Sequence, residues 1–574
     1  MSQRNSHIIN HTLWIFLMVS IVSGIVIQLN STIDSIVVGQ YIGADSISVV
    51  ALAMPLVNLL LLPSVMMMMG TCILIAPALG NQDYSRANKL VTIGLVCFLA
   101  LNILLAVLLG IFTEQTSSIM TTDPRLAPML QRYMPYAFIG SILAMFANYW
   151  AQLVKIYGES RLITWYSIIF VAVNTVFDLV LVKVMGVGIV GIAGGTSVAS
   201  VLSFFVMMPF LRREPRPFRF CMPGWKEFRG LLRETLHTGL SGIMAGVSTI
   251  LLTIGLNTIV LSRLGADGMF PLSICMQLLL IAMLIYTAVG TSVTGLGGIL
   301  MGEQDSDGVR RLIRSALRSV VIASLVAMAV LLVIPGPIAS IFGADAHFRA
   351  LSVMPIRTIS FMLVPAGVIM VLCNFLLLLG YNKLAGLSQV LMILCILPLA
   401  VILSAKDPDW FWYSIPVGMA LASLFSVIAS VYAYRRWNIT DNKVLVMSVD
   451  YCKVDFAATL STFTAHVKDL GLEPNKEQAV IHCIEEIMLH ELEMARQCSL
   501  KGGFDLGIAR NDKRLTIMVK AIGKPYNPMV KYHTSDHDDN PDDLQLSMSI
   551  VEGFCDSLDY RYRSGVNSLY VNFN

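Results

Sequence analysis

The chain has 574 residues, of which 56% are hydrophobic and 13% charged, and its net charge is +3. That apolar content excludes a soluble enzyme or a nucleic-acid-binding module of this length and indicates a polytopic membrane protein. The charge is unevenly held: residues 1–444 carry +9 and residues 445–574 carry −6, which separates a basic membrane part from an acidic, more polar tail.

A membrane-spanning helix needs about 20 predominantly apolar residues. Twelve runs meet that need: 13–38, 46–70, 91–112, 133–155, 162–183, 187–211, 237–262, 268–296, 317–341, 353–379, 383–403 and 411–434. The first is too long for a signal peptide and lacks a small-residue cleavage site, so it reads as a span. A polar, proline-broken linker at 212–233, containing RREPRPFRF, divides the sixth run from the seventh. The ten cysteines show neither CxxC nor metal-ligand spacing and read as small apolar residues and reduced thiols.

The two sets of six runs are copies. Gly43-Ala44-Asp45 returns as Gly265-Ala266-Asp267, and Gly80-Asn81-Gln82-Asp83 as Gly302-Glu303-Gln304-Asp305. Tyr157-Gly158 corresponds to Leu379-Gly380 and Asp123 to Asp345, always 222 residues on. Six spans is an even number, so both copies enter the bilayer in the same sense. The pseudo-two-fold axis then lies along the membrane normal, with a central site between two lobes, as in many secondary transporters. No GxxxxGKS/T phosphate loop occurs. With a cytoplasmic N-terminus, inward segments hold 20 Lys and Arg against 7 in outward ones, so both ends of the membrane part and the tail are expected in the cytoplasm.

Two acidic residues stand inside apolar runs, Asp34 in the first and Asp178 in the fifth. A carboxylate at that depth costs about 2.5–3.5 kcal/mol on insertion scales, and such residues mark ion pathways or hold a bundle together. Asn174 lies one turn before Asp178 on the same helix face. Thr196, near the start of the descending sixth run, falls at the same outer level. These oxygens suit a hard cation such as Na⁺, and two close carboxyls in a dry setting also favour a shared proton. No run of the second half contains an acidic residue.

The stretches DSIVVGQYIGADSISVVALAMPL and GTCILIAPALGNQDYSRANKL resemble the first two spans of the multidrug and toxin extrusion (MATE) family, Asn174 and Asp178 match its fifth-span Asn-x-x-x-Asp, and GIVGIAGGTSVAS is similar to its sixth span. The resemblance covers roughly residues 10–440. It implies a cation-coupled antiporter that exports organic, often cationic, solutes, with Asp34, Asn174, Asp178 and Thr196 holding Na⁺ or exchanging protons. The other branch of the family uses a glutamate in the seventh span; here that span reads TGLSGIMAGVSTILL, so no such site is carried over. Asn148, Gln152, Asn257, Gln277, Asn374 and Gln389 are polar residues within runs that either line a solute cavity or bond between helices. The 32 methionines, including Met66 to Met69, suit a pliant lining.

The tail alternates strands and helices in an α+β sandwich pattern. IEEIMLHELEMA and KPYNPM resemble the histidine-kinase-like ATPase fold of anti-sigma-factor kinases. That family's metal-binding Asn position is His490, four residues after Glu486, and its base-reading Asp is replaced by Ala521, two residues before Gly523. The glycine-rich phosphate loop is replaced near Asp543-Leu544-Gln545-Leu546, so neither ATP nor another cofactor is expected beyond the coupling ion. The acidic run at 536–543 reads as a solvated loop.

The expectation is therefore a twelve-span α-helical membrane protein of two six-helix lobes, 1–215 and 216–440, with a small cytoplasmic α+β domain at 445–574. It is expected in the plasma membrane as a monomer and not as an enzyme. Its partners would be lipid, a small organic solute and a cytoplasmic regulatory protein at the tail.

Overall fold

The computed structural model describes residues 7–573 apart from 43, 121–125, 213–217, 342–345, 438–443, 453, 498–501, 512–513, 524–542 and 564. The first half contains α1 (His7–Tyr41), α2 (Ala44–Gly80), α3 (Tyr84–Ile111), a short α4 (Thr113–Met120), α5 (Leu126–Ile156), α6 (Ser160–Leu179), α7 (Ile189–Phe204) and the single turn α8 (Met208–Leu211). The second contains α9 (Trp225–Arg263), α10 (Gly265–Gly302), α11 (Ser306–Val333), a short α12 (Pro335–Ile341), α13 (Ala346–Ser360), α14 (Leu363–Leu378), α15 (Asn382–Lys406) and α16 (Phe411–Arg436). All twelve apolar runs fall on these helices. Among the described residues ten helices are long and apolar enough to cross a membrane, or eleven if α13 and α14, bent by 41°, form one span. α1 adds only the shorter apolar stretch Asn10–Val26 to that test. The chain is thus a polytopic helical membrane protein with an added C-terminal sheet domain.

The 222-residue repeat is visible atom by atom. Gln82 and Gln304, non-glycine residues, both take positive φ, at 55° and 60°. The following aspartates then open the next helix alike: Asp83 Oδ1 accepts from Arg86 N at 3.0 Å, and Asp305 Oδ1 from Gly308 N at 2.8 Å. Each satisfies one of the orphan amides of a helix N-terminus. Gly158 and Gly380 end their helices with φ of 94° and 80°, the left-handed geometry that glycine adopts without a Cβ clash. Where α2 and α10 pack together, the glycines are reciprocal: a Cβ on Gly80 would overlap the carbonyl oxygen of Ile299, and one on Gly302 that of Pro77. Ile299 is 222 residues after Pro77, so this one close contact is made twice with the halves exchanged.

The chain divides into two compact units: Phe16–Gly302 with Ile313–Trp437, and a second made of Met1–Ile15, Glu303–Leu312 and Asn438–Asn574. The second unit is built on β1 (Val444–Asp450), β2 (Gly503–Asn511), β3 (Arg514–Ile522), β4 (Ser557–Arg563) and β5 (Val566–Phe573), with α17 (Phe456–Asp469), α18 (Pro474–Gln497) and α19 (Asp543–Phe554). The sheet order is β1-β2-β3-β5-β4, every pair antiparallel, with Leu506 opposite Val519 and Val519 opposite Leu569. Period-two alternation sends Leu506, Ile508, Ile517, Val519 and Val571 against Phe463, Ile484 and Met488 of the helices. Burial of each such side chain contributes about 1.5–3 kcal/mol.

The opposite sheet face is also covered. Lys520 and Tyr570, both on that face, donate to the carboxylate of Glu303, which belongs to the same compact unit; the Tyr570 bond is 2.6 Å. Burial works to discharge Lys520, and the facing Glu303, Tyr570 and Asp305 outweigh it and hold its pKa above the usual lysine value.

Candidate functional site

α1 and α6 bring the two intramembrane aspartates together. The amide nitrogen of Asn174 donates to Asp34 Oδ1 and to Asp178 Oδ2, each at 2.8 Å, so a single NH₂ group bridges both carboxyls. Asn30, one turn before Asp34 on α1, donates to Asp34 Oδ2 at 3.1 Å and extends the chain of bonds to four residues. Asn174 and Asp178 are fully buried. Three buried oxygens of this cluster, Asn30 Oδ1, Asn174 Oδ1 and Asp178 Oδ1, receive no hydrogen bond from the described residues. A buried acceptor without a donor costs about 1–3 kcal/mol, more when charged, and a cation, added protons or water would each satisfy these oxygens. The cluster's oxygen-only donor chemistry fits each of the three.

Local backbone helps to place Asp178. Directly after it the helix widens to a π turn at Val180–Val184, where Met185 N donates to Val180 O at 2.9 Å. Such turns recur at functional sites, because the extra residue re-aims the preceding side chains. On the facing α7, Gly195 has no Cβ; one there would overlap Asp178 Oδ1. Gly195 is therefore an α7 residue that Asp178 packs directly against. Thr196 directs its hydroxyl to Ile192 O of its own helix at 3.1 Å. Asn30 went unread in the sequence, although its i, i+4 spacing from Asp34 was the available signal.

A second feature of this unit is a cavity of about 530 Å³. Four of the six polar residues singled out by sequence line it: Asn148, Gln152, Asn374 and Gln389. Asn257 and Gln277 are not lining residues; Asn257 is exposed on the helix surface and Gln277 half-buried. Met68 and Met69 line the cavity, whereas Met67 is buried in a core cluster. Lys155, the last residue of the fourth apolar run and one of the 20 Lys and Arg counted on the inward side, is buried and lines the cavity. It donates to Ser20 of α1 and to Thr291 of α10, the latter at 3.2 Å, and lies over the Phe16 ring at 5.7 Å.

In the tail, His490 is buried on α18 with Nδ1 3.9 Å from Glu491 Oε1, and burial lowers its pKa to about 4. Ala521 is buried in the sheet–helix core and Glu486 is half-buried. Gly523 donates its amide to Gly565 O at 3.2 Å. Residues 524–542, which hold KPYNPM and most of the acidic run, lie outside the described residues, as do Asp123 and Asp345. Among the described residues no group of three or more His, Cys, Asp or Glu is placed to hold a metal ion.

A duplicated helical bundle with carboxylates buried in one half and a polar-dotted cavity defines a membrane-transporter architecture. The sequence profile of the MatE family matches residues 19–180 and 243–405, once on each half and over more than half of the chain. The chain belongs to the MatE family. Among curated proteins it is 22% identical over 311 residues to the probable multidrug resistance protein YoeA of Bacillus subtilis, covering 52% of this chain and 66% of that protein. It is 19% identical over 225 residues to the multidrug export protein MepA of Staphylococcus haemolyticus, covering 38% and 50%. The chain thus spans about half to two-thirds of the length of these curated relatives. Among solved structures, the Vibrio cholerae MATE transporter VcmN in its bent form aligns with a TM-score of 0.70 at 15% identity, covering 75% of this chain and 98% of that one. A MOP superfamily transporter of Pyrococcus furiosus, described as having a binding pocket of reverse polarity, aligns with a TM-score of 0.67 at 17% identity, covering 73% and 95%.

Proposed function

We propose that the protein is a cation-coupled antiporter that exports organic solutes by alternating access, a transporter rather than an enzyme. The observation that carries this reading is the Asn30–Asp34–Asn174–Asp178 cluster, whose three undonated oxygens would be satisfied by a cation or protons. Bound cation or proton neutralises the two carboxyls around the shared Asn174 amide and lets α1 stay against α6. Loss of the ion leaves two negative groups competing for one donor, and the repulsion favours a state with α1 displaced. α1 also carries Phe16 and Ser20, which meet Lys155 beside the cavity. Asp34 is 14 residues further along α1, roughly 20 Å at 1.5 Å per residue. One rigid helix therefore links ion site to solute cavity, and occupancy of either biases the same two-state element.

The test is transport of labelled organic solutes in proteoliposomes under imposed H⁺ or Na⁺ gradients. Asp34→Asn and Asp178→Asn should each abolish gradient-driven accumulation while the protein remains folded. Unchanged accumulation in both variants would refute the assignment.

The same reading takes the membrane part as twelve spans in two six-helix lobes, 1–215 and 216–440, with the N-terminus and the tail in the cytoplasm; the 20-to-7 bias of basic residues supports it. The domain at 445–574 is read as a regulatory module of ATPase-like ancestry without nucleotide turnover. Supporting this, the metal-binding Asn position is a buried histidine and the base-reading Asp position is the core residue Ala521. ATP hydrolysis by the purified full chain would overturn that part alone.

A further inference from the structure

We propose that the cavity takes amphipathic organic anions, with Lys155 as their counter-ion. This rests on the exporter reading above and names the class of solute, which differs from the organic cations that the sequence resemblance implies.

Charge inventory is the first argument. Among the described residues the lining contains one ionisable cation, Lys155, and no aspartate or glutamate. The polar remainder consists of amides such as Asn148, Gln152, Asn374 and Gln389, hydroxyls, and the thiols of Cys72 and Cys373. The nearest intramembrane carboxyls, Asp34 and Asp178, are bonded within their own cluster and do not line the cavity. Among the described residues Lys155 forms no ion pair. A buried ammonium without a partner anion is unfavourable, and an anionic ligand group supplies what the protein does not. A cationic solute beside it would be repelled through low-dielectric surroundings.

Hydrogen-bond accounting is the second. An ammonium has three donors and no acceptor. Two are directed to Ser20 and Thr291. Both hydroxyls spend their own hydrogens on helix carbonyls, Ser20 on Phe16 O at 2.7 Å and Thr291 on Ala288 O at 3.1 Å, and so meet Lys155 as acceptors. The third ammonium donor remains for a carboxylate, sulfonate or phosphate oxygen, a charge-assisted bond. Around it Met69, Met283, Met370 and Met392 offer an adaptable apolar wall for the body of the molecule.

The repeat supplies the third. Gln152 and its counterpart 222 residues on, Asn374, both line the cavity as neutral amides. Lys155 and its counterpart Leu377 also both line it, but only one is charged. The positive charge is therefore held on the first-half side of an otherwise paired lining.

The experiment uses the full chain in lipid nanodiscs and two dyes with one xanthene core and opposite charge, 5-carboxyfluorescein and rhodamine 6G, with binding followed by fluorescence anisotropy. The expected result is tighter binding of the anion by the wild type. Lys155→Gln should weaken anion binding by about tenfold or more, as expected for loss of a charge-assisted bond, without weakening rhodamine binding. Lys155→Arg should retain the anion preference and shows whether the site tolerates substitution. Preference for the cation, binding of neither dye, equal binding of both, or an anion affinity indifferent to Lys155→Gln would each overturn the proposal. Transport of both dyes in proteoliposomes separates this from the exporter reading. Gradient-driven export of rhodamine 6G with no movement of 5-carboxyfluorescein refutes the anion proposal alone. Lys155-dependent anion binding with no gradient-driven movement of either dye refutes the exporter reading alone.

Discussion

The two halves of the membrane unit share a backbone but not a chemistry. Adding 222 to Asp34, Asn174, Asp178 and Thr196 gives Leu256, Ile396, Ala400 and Gly418. Leu256, Ile396 and Ala400 are buried in one apolar cluster, and Gly418 packs directly against Ile396. The same helix positions therefore hold a hydrogen-bonded polar cluster in one half and a dry core in the other. Hydrophobic packing satisfies the second half outright, whereas the first leaves three buried oxygens without donors among the described residues. A fold that can be stable with the apolar set has no structural need of the polar one, which is what the cation-site proposal expects.

The largest expected effect comes from copying one half into the other. Asp34→Leu, Asn174→Ile and Asp178→Ala combined put the three buried second-half residues into the first. Gradient-driven transport in proteoliposomes should fall to background, while the thermal unfolding midpoint, read by intrinsic fluorescence, should be unchanged or higher. Replacing buried charged networks by apolar residues is neutral or stabilising by about 1–4 kcal/mol. A sharp fall in that midpoint would mean that the cluster is structural glue. The reverse exchange, Ala400→Asp, sets a lone carboxyl in the apolar cluster and should cost about 3–5 kcal/mol in stability without creating a second coupling site. Retained stability would show that this region is wetter than its side chains imply.

A smaller effect tests what the halves have in common. Gly80→Ala and Gly302→Ala each drive a methyl group into a carbonyl oxygen of the opposite helix. Overpacking of this kind costs about 1–3 kcal/mol. Because the contacts are reciprocal, the two variants should lower the unfolding midpoint by similar amounts. A marked difference would show that the halves are unequal where α2 meets α10.

Much of this was readable in the chain. Long apolar runs announced the helices, and the tail's strands and helices followed alternation and periodicity closely. Asp34, Asn174 and Asp178 were found because a carboxylate in an apolar run is rare and the Asn-x-x-x-Asp spacing is local. Lys155 was misread because a lysine at a span edge resembles a loop charge; its burial depends on Ser20 and Thr291, 135 and 136 residues away in sequence. Thr196 bonds within its own helix, and the close approach of Gly195 to Asp178 is set by packing at a helix crossing, which sequence does not show. Asn257 and Gln277 illustrate the same limit: polarity within a span does not say which way the helix is turned.

The smallest effect sharpens the comparison at the loop turns. Gln82 and Gln304 hold left-handed conformations, with φ of 55° and 60°, in two loops whose sequences differ at the position before them, Asn81 against Glu303. An L-residue other than Gly, Asn or Asp carries roughly 1–2 kcal/mol of steric cost there. Asparagine retains the amide and is several-fold enriched in this region, so Gln82→Asn and Gln304→Asn should each raise stability by about 0.5 kcal/mol. Valine keeps neither advantage, and its branched Cβ opposes the turn, so Gln82→Val and Gln304→Val should each lower stability by about 1–2 kcal/mol. Parallel behaviour of the two sites across both substitutions would show that backbone strain is inherited by the repeat independently of side-chain surroundings. If Gln304 alone responds weakly, the Glu303–Leu312 segment, anchored by Lys520 and Tyr570 to Glu303, is holding that turn by contacts that its first-half counterpart lacks.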